Sequence, residues 1–413
     1  MSRGSAQPSS ARRALSEPAF QRIFVASFLS NTGRWMQTAA LGVLAWELTE
    51  SSAFLGLIVF AQLGPLAVIS LIGGSLADSA DRRRLLISTQ VWQMMWTFAL
   101  AALVLDDNIA PGLLVALVFV MGLAQGIFAP TFTSVLPALA GEGNLVAAIS
   151  LNSTQMNASR VIGPAIGGWL TSKVGFAEVF AVNAITYLFV ILALWFTQLP
   201  SPTAKVRSLS ARLFGGFKLA RIAPQVGRPM VAMAGFSLLC LPFIGQLPAI
   251  AEINLGVDAT SSSYGYFYAA FGLGALAGAL LVGTVLVNYP RGRVARGTLV
   301  GFAGALAWLA VTEDIQVAYY AVFTVGLFYF VLPTILSTMW QEHVDETVRG
   351  RVAAVWVLSF GGTVPFANII AGPIVELTSL TTVLFGGVIG ALFLAATLRF
   401  VPGPVVGEEL IPD

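Results

Sequence analysis

Charge is scarce in this chain: only 10% of its 413 residues are Asp, Glu, Lys or Arg. A soluble domain carries roughly 25%, because its surface has to face water. The deficit therefore excludes an ordinary water-facing surface over most of the length. Cysteine and histidine are scarcer still, one of each, Cys240 and His343. Single copies exclude a disulfide framework and leave nothing from which to build a Cys/His metal site. A phosphate-binding Gly-Lys loop is missing as well, which excludes an ATPase engine. His343 sits in a polar stretch beside Glu342, and Cys240 lies among leucines, so neither heads a reactive constellation. The reading is not an enzyme, with no cofactor, no metal and no nucleic-acid partner.

What is abundant is apolar sequence: 57% of residues are hydrophobic and the mean hydropathy is +0.83. A membrane-spanning helix needs about 20 consecutive apolar residues. Such runs occur at 20–48, 52–77, 85–105, 111–133, 146–170 and 177–197, then at 230–250, 261–287, 294–311, 315–337, 352–376 and 380–400. The fifth carries Asn152, Gln155, Asn157 and Arg160, and the ninth is short. The first is too long for a signal peptide and is expected to stay as a helix. The expected fold is all-α and integral to the membrane, with twelve transmembrane helices and the lipid bilayer as its main partner.

The 22 basic residues divide unevenly over this frame. Nineteen fall on one side, among them Arg22, Arg82, Arg83, Arg84, Arg228, Arg291, Arg349, Arg351 and Arg399; Lys173 stands alone on the other. Basic residues in short loops stay cytoplasmic, so both termini and the middle linker are expected in the cytosol.

A shift of 209 residues superimposes the chain on itself. Ser52 and Gly56 map to Ser261 and Gly265, Gly74 to Gly283, and Gly163-Pro164 to Gly372-Pro373. Two six-helix halves of the same topology are expected, related by an axis along the membrane normal, with a solute site between them near the midplane. The divisions are a tail at 1–19, a first half at 20–197, a linker at 198–229, a second half at 230–400 and a tail at 401–413. Within the linker, 208–222 reads either as an amphipathic helix on the inner leaflet or as a flexible connector; both readings stand.

Two arginines, Arg34 and Arg160, fall at the centres of their runs, where an ionisable side chain is costly and usually functional. Arg34 belongs to a polar stripe with Asn31 and Thr38, with Gln37 adjoining, and Arg160 shares a face with Asn157. All twenty acids fall in loops or near run ends, so neither arginine has an internal counter-ion. A positive cavity would favour an anionic substrate. The structural alternative, satisfaction by amides and freed carbonyls, stands beside it for both Arg34 and Arg160. Gln62, Phe243, Gln246, Tyr268, Tyr329 and Asn368 complete the candidate substrate contacts, each equally readable as helix packing.

These residues resemble the major facilitator superfamily. Gly74-Ser-Leu-Ala-Asp78-Ser-Ala-Asp81-Arg82-Arg83-Arg84 resembles its signature loop, and Gly163-Pro164-Ala-Ile-Gly167-Gly168 is similar to the core of its antiporter motif. Ser30-Asn31-Thr-Gly33-Arg34-Trp35-Met-Gln37, Glu47-Leu-Thr49, Pro130–Pro137, Asn157–Arg160 and Arg349-Gly-Arg351 resemble the enterobactin/macrolide exporter branch. The resemblance implies the major facilitator fold of two pseudo-symmetric six-helix bundles, a monomer in the bacterial plasma membrane, and a central cavity bordered by helices 1 and 5. It implies gating by Gly74, Asp78, Arg82 and Arg83, with Asp78 latching to the start of helix 11 near Arg349 or Arg351, and by Gly163, Pro164, Gly167 and Gly168. A solvated loop that sets topology is the alternative for the Asp78 segment. It also implies proton-driven antiport of a siderophore, drug or similar bulky small molecule. Glu47, Glu252 and Asp78 are the acids that could carry the proton. An importer or facilitator of a small metabolite, or a lipid flippase, remains an alternative on the same fold.

Overall fold

The computed structural model describes residues 11–107, 109–141, 144–199, 209–401 and 403–407; within these, the side chains at 67, 71, 72, 74, 75, 77–79, 146, 209–214, 346 and 347 are outside the description. The described chain is nearly all helical. Its helices are α1 (Pro18–Thr49), α2 (Ser52–Ser79), α3 (Arg82–Leu105), α4 (Pro111–Ala140), α5 (Leu145–Val174) and α6 (Phe176–Trp195). After a connecting helix, Leu209–Ile222, come α7 (Pro224–Cys240), α8 (Ser262–Thr284), α9 (Arg291–Val311) and α10 (Ile315–Gln341). In α11, Glu346–Val357 runs through a wider turn at Leu358–Gly362 into Thr363–Leu377, and α12 is Leu380–Thr397.

The starts follow from local chemistry. Pro18, Pro111 and Pro224 occupy first-turn positions, where a missing N–H costs nothing. Ser51, Asp81, Ser261, Asp314 and Ser379 accept from backbone N–H groups of the turns they precede.

Eight helices are long and apolar enough to cross a membrane: α2, α4, α6 and α8 to α12. The other four are diluted or short. Arg22, Arg34 and Glu47 interrupt α1, three arginines open α3, and the amides and Arg160 interrupt α5. Helix α7 has 17 residues. The apolar run at 230–250 is not one helix: α7 starts earlier, at Pro224, and stops at Cys240, and short turns lead through Pro242 and Pro248 into a wide turn at Ile250–Asn254. Each proline lacks the N–H that would continue the ladder. Pro365 does the same to α11, where the carbonyl of Gly361 sits in the wide turn.

Leu280, Ile389 and Phe393 stand outward, each more than half exposed, on the surface a bilayer would cover. This composition and these helices make the chain an integral membrane protein.

Among the N-terminal helices, α1 packs on α5 and α6, α2 on α4, and α3 on α6; among the C-terminal ones, α8 packs on α10, and α9 on α10 and α12. The two sets meet where α2 crosses α11 and where α5 crosses α8. Glycine makes both crossings close. A Cβ on Gly56 would lie 2.2 Å from the Asn368 carbonyl oxygen, and one on Gly168 2.4 Å from the Gly265 Cα.

Among the described residues, five hydrogen bonds between the sets gather at the end away from the basic residues. They include Trp46 to Glu252 at 2.6 Å, Gln246 to the Ser52 carbonyl at 3.1 Å and Ser172 with Ser262 at 2.9 Å. At the basic end, several bonds among the described residues lie within one set. Arg22 and Arg83 donate to carbonyls at the end of α6, Arg228 donates to the Arg399 carbonyl beyond α12, and Arg291 pairs with Glu342 at 2.6 Å. The connecting helix docks on α11 there. A Cβ on Gly216 would lie 2.3 Å from the Arg351 carbonyl oxygen, and Leu219 is fully buried. The chain's last described residues strap the same region, with Val406 bridging Val344.

Candidate functional site

The site is built on the crossing of α1 and α5. A Cβ on Gly163 would fall 2.5 Å from the Trp35 Cβ and 2.7 Å from the Thr32 carbonyl oxygen, and one on Gly167 3.1 Å from the Met36 backbone. Only small residues allow helices to approach so closely. The Thr32 hydroxyl donates to Ser159 across the same contact at 3.2 Å.

This approach brings two cations together. The Arg160 guanidinium lies over the Trp35 ring, 4.9 Å from its centroid, in cation–π geometry. Its Nε is buried and has no hydrogen-bond partner among the described residues. Arg34, half-buried, donates to Asn31 Oδ1 at 2.9 Å and lies within electrostatic range of Arg160. Among the described residues, no carboxylate reaches ion-pair distance of either guanidinium.

Thr38 donates to the Arg34 carbonyl at 3.0 Å and accepts from Gln62 of α2, also at 3.0 Å. From the other set, α8 lies against the Arg160 backbone at Gly272, and the Tyr268 hydroxyl is within electrostatic range of its guanidinium. Two like charges, both partly buried, repel, and one buried donor has no partner among the described residues. An anion placed between them would relieve both penalties.

The family described as transmembrane secretion effector matches residues 9–412. The chain belongs to this family, within the major facilitator superfamily. It is therefore a membrane transporter by family, and its relatives are transporters rather than enzymes. It is 26% identical over 345 residues to the enterobactin exporter of Shigella boydii serotype 4 (strain Sb227), covering 82% of this chain and 81% of the relative. The enterobactin exporter of Escherichia coli O1:K1 / APEC is 27% identical over 348 residues, with the same coverage. Among solved structures, a nucleoside transporter aligns with a TM-score of 0.73 at 15% identity, covering 92% of this chain and 98% of that one. A bacterial homolog of the human lysosomal transporter Spinster, inward-facing and unoccupied, aligns with a TM-score of 0.67 at 15% identity, covering 93% and 95%. Both likenesses are of fold alone.

Family membership leaves the individual site residues to geometry. Asn31, Arg34, Thr38 and Gln62 are linked by hydrogen bonds, Arg160 lies within electrostatic range of Arg34 and of Tyr268, and Asn157 lies half-buried on α5 one turn before Arg160. Gln37 does not join them. It is buried against α6, accepts from Asn183 and donates to the Met121 sulfur. The polar stripe misplaces it because α1 is covered on several faces, and its amide serves the α1–α6 contact. Gln246 and Asn368 are fully buried at the α2–α11 seam, each leaving one amide oxygen without a partner among the described residues. Phe243 and Tyr329 pack on Phe271, at 5.9 and 5.2 Å between ring centroids, inside the C-terminal aromatic core.

Of the gating residues, Gly163 and Gly167 face α1, Gly168 faces α8, and Pro164 lies within the unbroken α5. The side chains of Gly74 and Asp78 lie outside the described residues. Arg83 caps α6 and lies 5.7 Å from the Trp195 centroid, a contact inside the N-terminal set. Arg82 opens α3, and Arg349 and Arg351 stand at the base of α11, the latter against Gly215 of the connecting helix. Glu47 and Glu252 lie at the far end with Asp258, their carboxylate oxygens within 4.8 Å of one another, around a cavity of about 400 Å³. That cavity is at the opposite end of α1 from Arg22, beyond the guanidinium pair.

Reading the sequence missed Trp35, Tyr187 and Glu376. Trp35 was visible beside Arg34, but which helix it would face was not. Tyr187 accepts from Asn183 at 3.3 Å and lies within electrostatic range of Arg34. Glu376 bonds to the start of α2; its only sequence signal is the 209 shift, which places it opposite Gly167.

Proposed function

We propose that the chain is a secondary active exporter that moves a bulky, anionic small molecule, of siderophore or drug type, by alternating access and in exchange for protons. In this reading twelve helices cross the bilayer, six on each side of the linker, as two pseudo-symmetric bundles. The basic end faces the cytosol, because basic loops are retained there, and the membrane is the bacterial plasma membrane. The bonds between the sets at the far end support a resting arrangement closed on the outside.

One observation carries the anionic reading: two guanidinium groups at mid-helix, one with an unsatisfied buried Nε, and no carboxylate paired with either among the described residues. Charge placed at that depth is retained for a purpose. The export direction leans on the relatives, which are enterobactin exporters. Tyr268 from α8 supports a binding place shared by both sets, as alternating access requires. Coupling to protons leans on the antiporter-like Gly163–Gly168 stretch, with no carrier assigned.

The test is efflux from a sensitised host, with siderophores and macrolides as substrates, with and without a protonophore. The chain is expected to lower accumulation, the protonophore to abolish the effect, and Arg34→Gln to weaken it at equal expression. Unchanged efflux of an anion by Arg34→Gln would remove the anionic reading. Efflux insensitive to the protonophore would remove the coupling.

A further inference from the structure

Of the two crossings between the helix sets, only one is fastened by a charge among the described residues. Where α5 meets α8, Gly168 lies on Gly265, and the hydroxyls of Ser172 and Ser262 share a neutral hydrogen bond of 2.9 Å. Where α2 meets α11, Gly372 lies against Ser52 and Ala53 in a comparable close approach. There the carboxylate of Glu376 reaches over the first turn of α2. Its Oε1 accepts from the Ala53 N–H at 3.0 Å and from the Ser51 hydroxyl.

The start of α2 already has its own cap, since Ser51 Oγ accepts from the Phe54 N–H at 3.1 Å. Glu376 adds a second acceptor from another element. Both of its hydrogen bonds go to α2, so separating α2 from α11 breaks both at once. Glu252 differs: it accepts from Trp46 of α1, and also from the Ala259 N–H of its own segment, a bond that would survive separation. In the repeat, Glu376 takes the place of Gly167. The carboxylate is an addition to one crossing, with no counterpart at the other.

We infer that Glu376 is the latch of the far end: its release from the start of α2 is a required step in opening that end, and its engagement biases the protein toward the closed arrangement. This rests on the alternating-access reading above. A helix N-terminus favours negative charge, and an ionised acceptor binds N–H and O–H donors more strongly than a neutral one. The carboxylate is exposed to water, which limits what the contact contributes. It is a bias of a few fold, small enough for a substrate or ion gradient to overcome in each cycle.

The test measures the opening directly. Spin labels at Lys173→Cys and Glu313→Cys, in a Cys240→Ser background, report the separation of the sets at this end in the full-length chain. Glu376→Ala is expected to raise the population at long distance about three- to fivefold. Glu376→Gln, which keeps an acceptor oxygen but not the charge, should fall between it and the unaltered chain. Ser51→Ala should reproduce part of the shift, and none of it when combined with Glu376→Ala. A thermal unfolding midpoint close to that of the unaltered chain confirms that each variant is folded. If the distances are identical in Glu376→Ala and the unaltered chain while both still transport, the latch is overturned and the transport reading stands. Identical distances with transport by neither would overturn both.

Discussion

Helices α1 and α5 carry guanidinium groups at mid-helix, whereas α7 to α12 carry no charged side chain at that depth and present aromatic rings instead. At the far end the chemistry is exchanged: the C-terminal helices and their loops supply the carboxylates of Glu252 and Glu376, and the N-terminal helices supply the donors Trp46, Ser51 and Ala53. The repeat that gives both sets the same helices has not kept the same side chains. One set holds the guanidinium groups, and the other holds the rings of its aromatic core and the acids bonded across the far end.

The comparison breaks most severely if the cations are removed. The double variant Arg34→Gln with Arg160→Gln is expected to lose about 100-fold in affinity for an anionic substrate, as two charge-assisted contacts disappear, measured by equilibrium binding to the purified chain. Gly168→Leu should come next. Its side chain would have to occupy the place of the Gly265 backbone, and overpacking of this kind costs about 1–3 kcal/mol. Transport should fall sharply, while Gly304→Ala, at a position with nothing within 4 Å, should behave as the unaltered chain.

Tyr268→Phe keeps the ring and removes the hydroxyl near Arg160, so affinity should drop by about fivefold or less; a loss as large as that of the arginine variants would mean that the C-terminal set shares the charge recognition. The smallest effect is expected of Arg83→Gln, which uncaps α6 inside one set. A contribution of about 0.3–1 kcal/mol from a cation at a helix C-terminus predicts a slightly lower thermal midpoint with transport intact. Loss of transport without loss of stability would return Arg83 to a gating role.

The helices and the two cations were legible in the sequence because hydrophobic runs and charges at their centres are local signals. Arg34 and Arg160 needed no structure to stand out. Their mutual placement did, because periodicity orders residues round one helix and says nothing about which neighbour that face meets. Gln37 shows the cost: it lies next to the polar stripe yet turns to Asn183. The break after Cys240 was written in Pro242 and Pro248, but prolines are tolerated inside membrane helices, and Pro65, Pro130, Pro164 and Pro333 do lie inside continuous ones here. Glu376 read as a boundary acid, since the helix N-terminus it caps is more than 300 residues distant in the chain.

The most direct measurement compares the binding of one carboxylate-bearing compound and its neutral methyl ester to the purified chain, with and without Arg34→Gln and Arg160→Gln. The account predicts that the unaltered chain prefers the anion by at least about tenfold and that the double variant has no preference. A preference for the anion that survives in the double variant, or is absent from the unaltered chain, would contradict it.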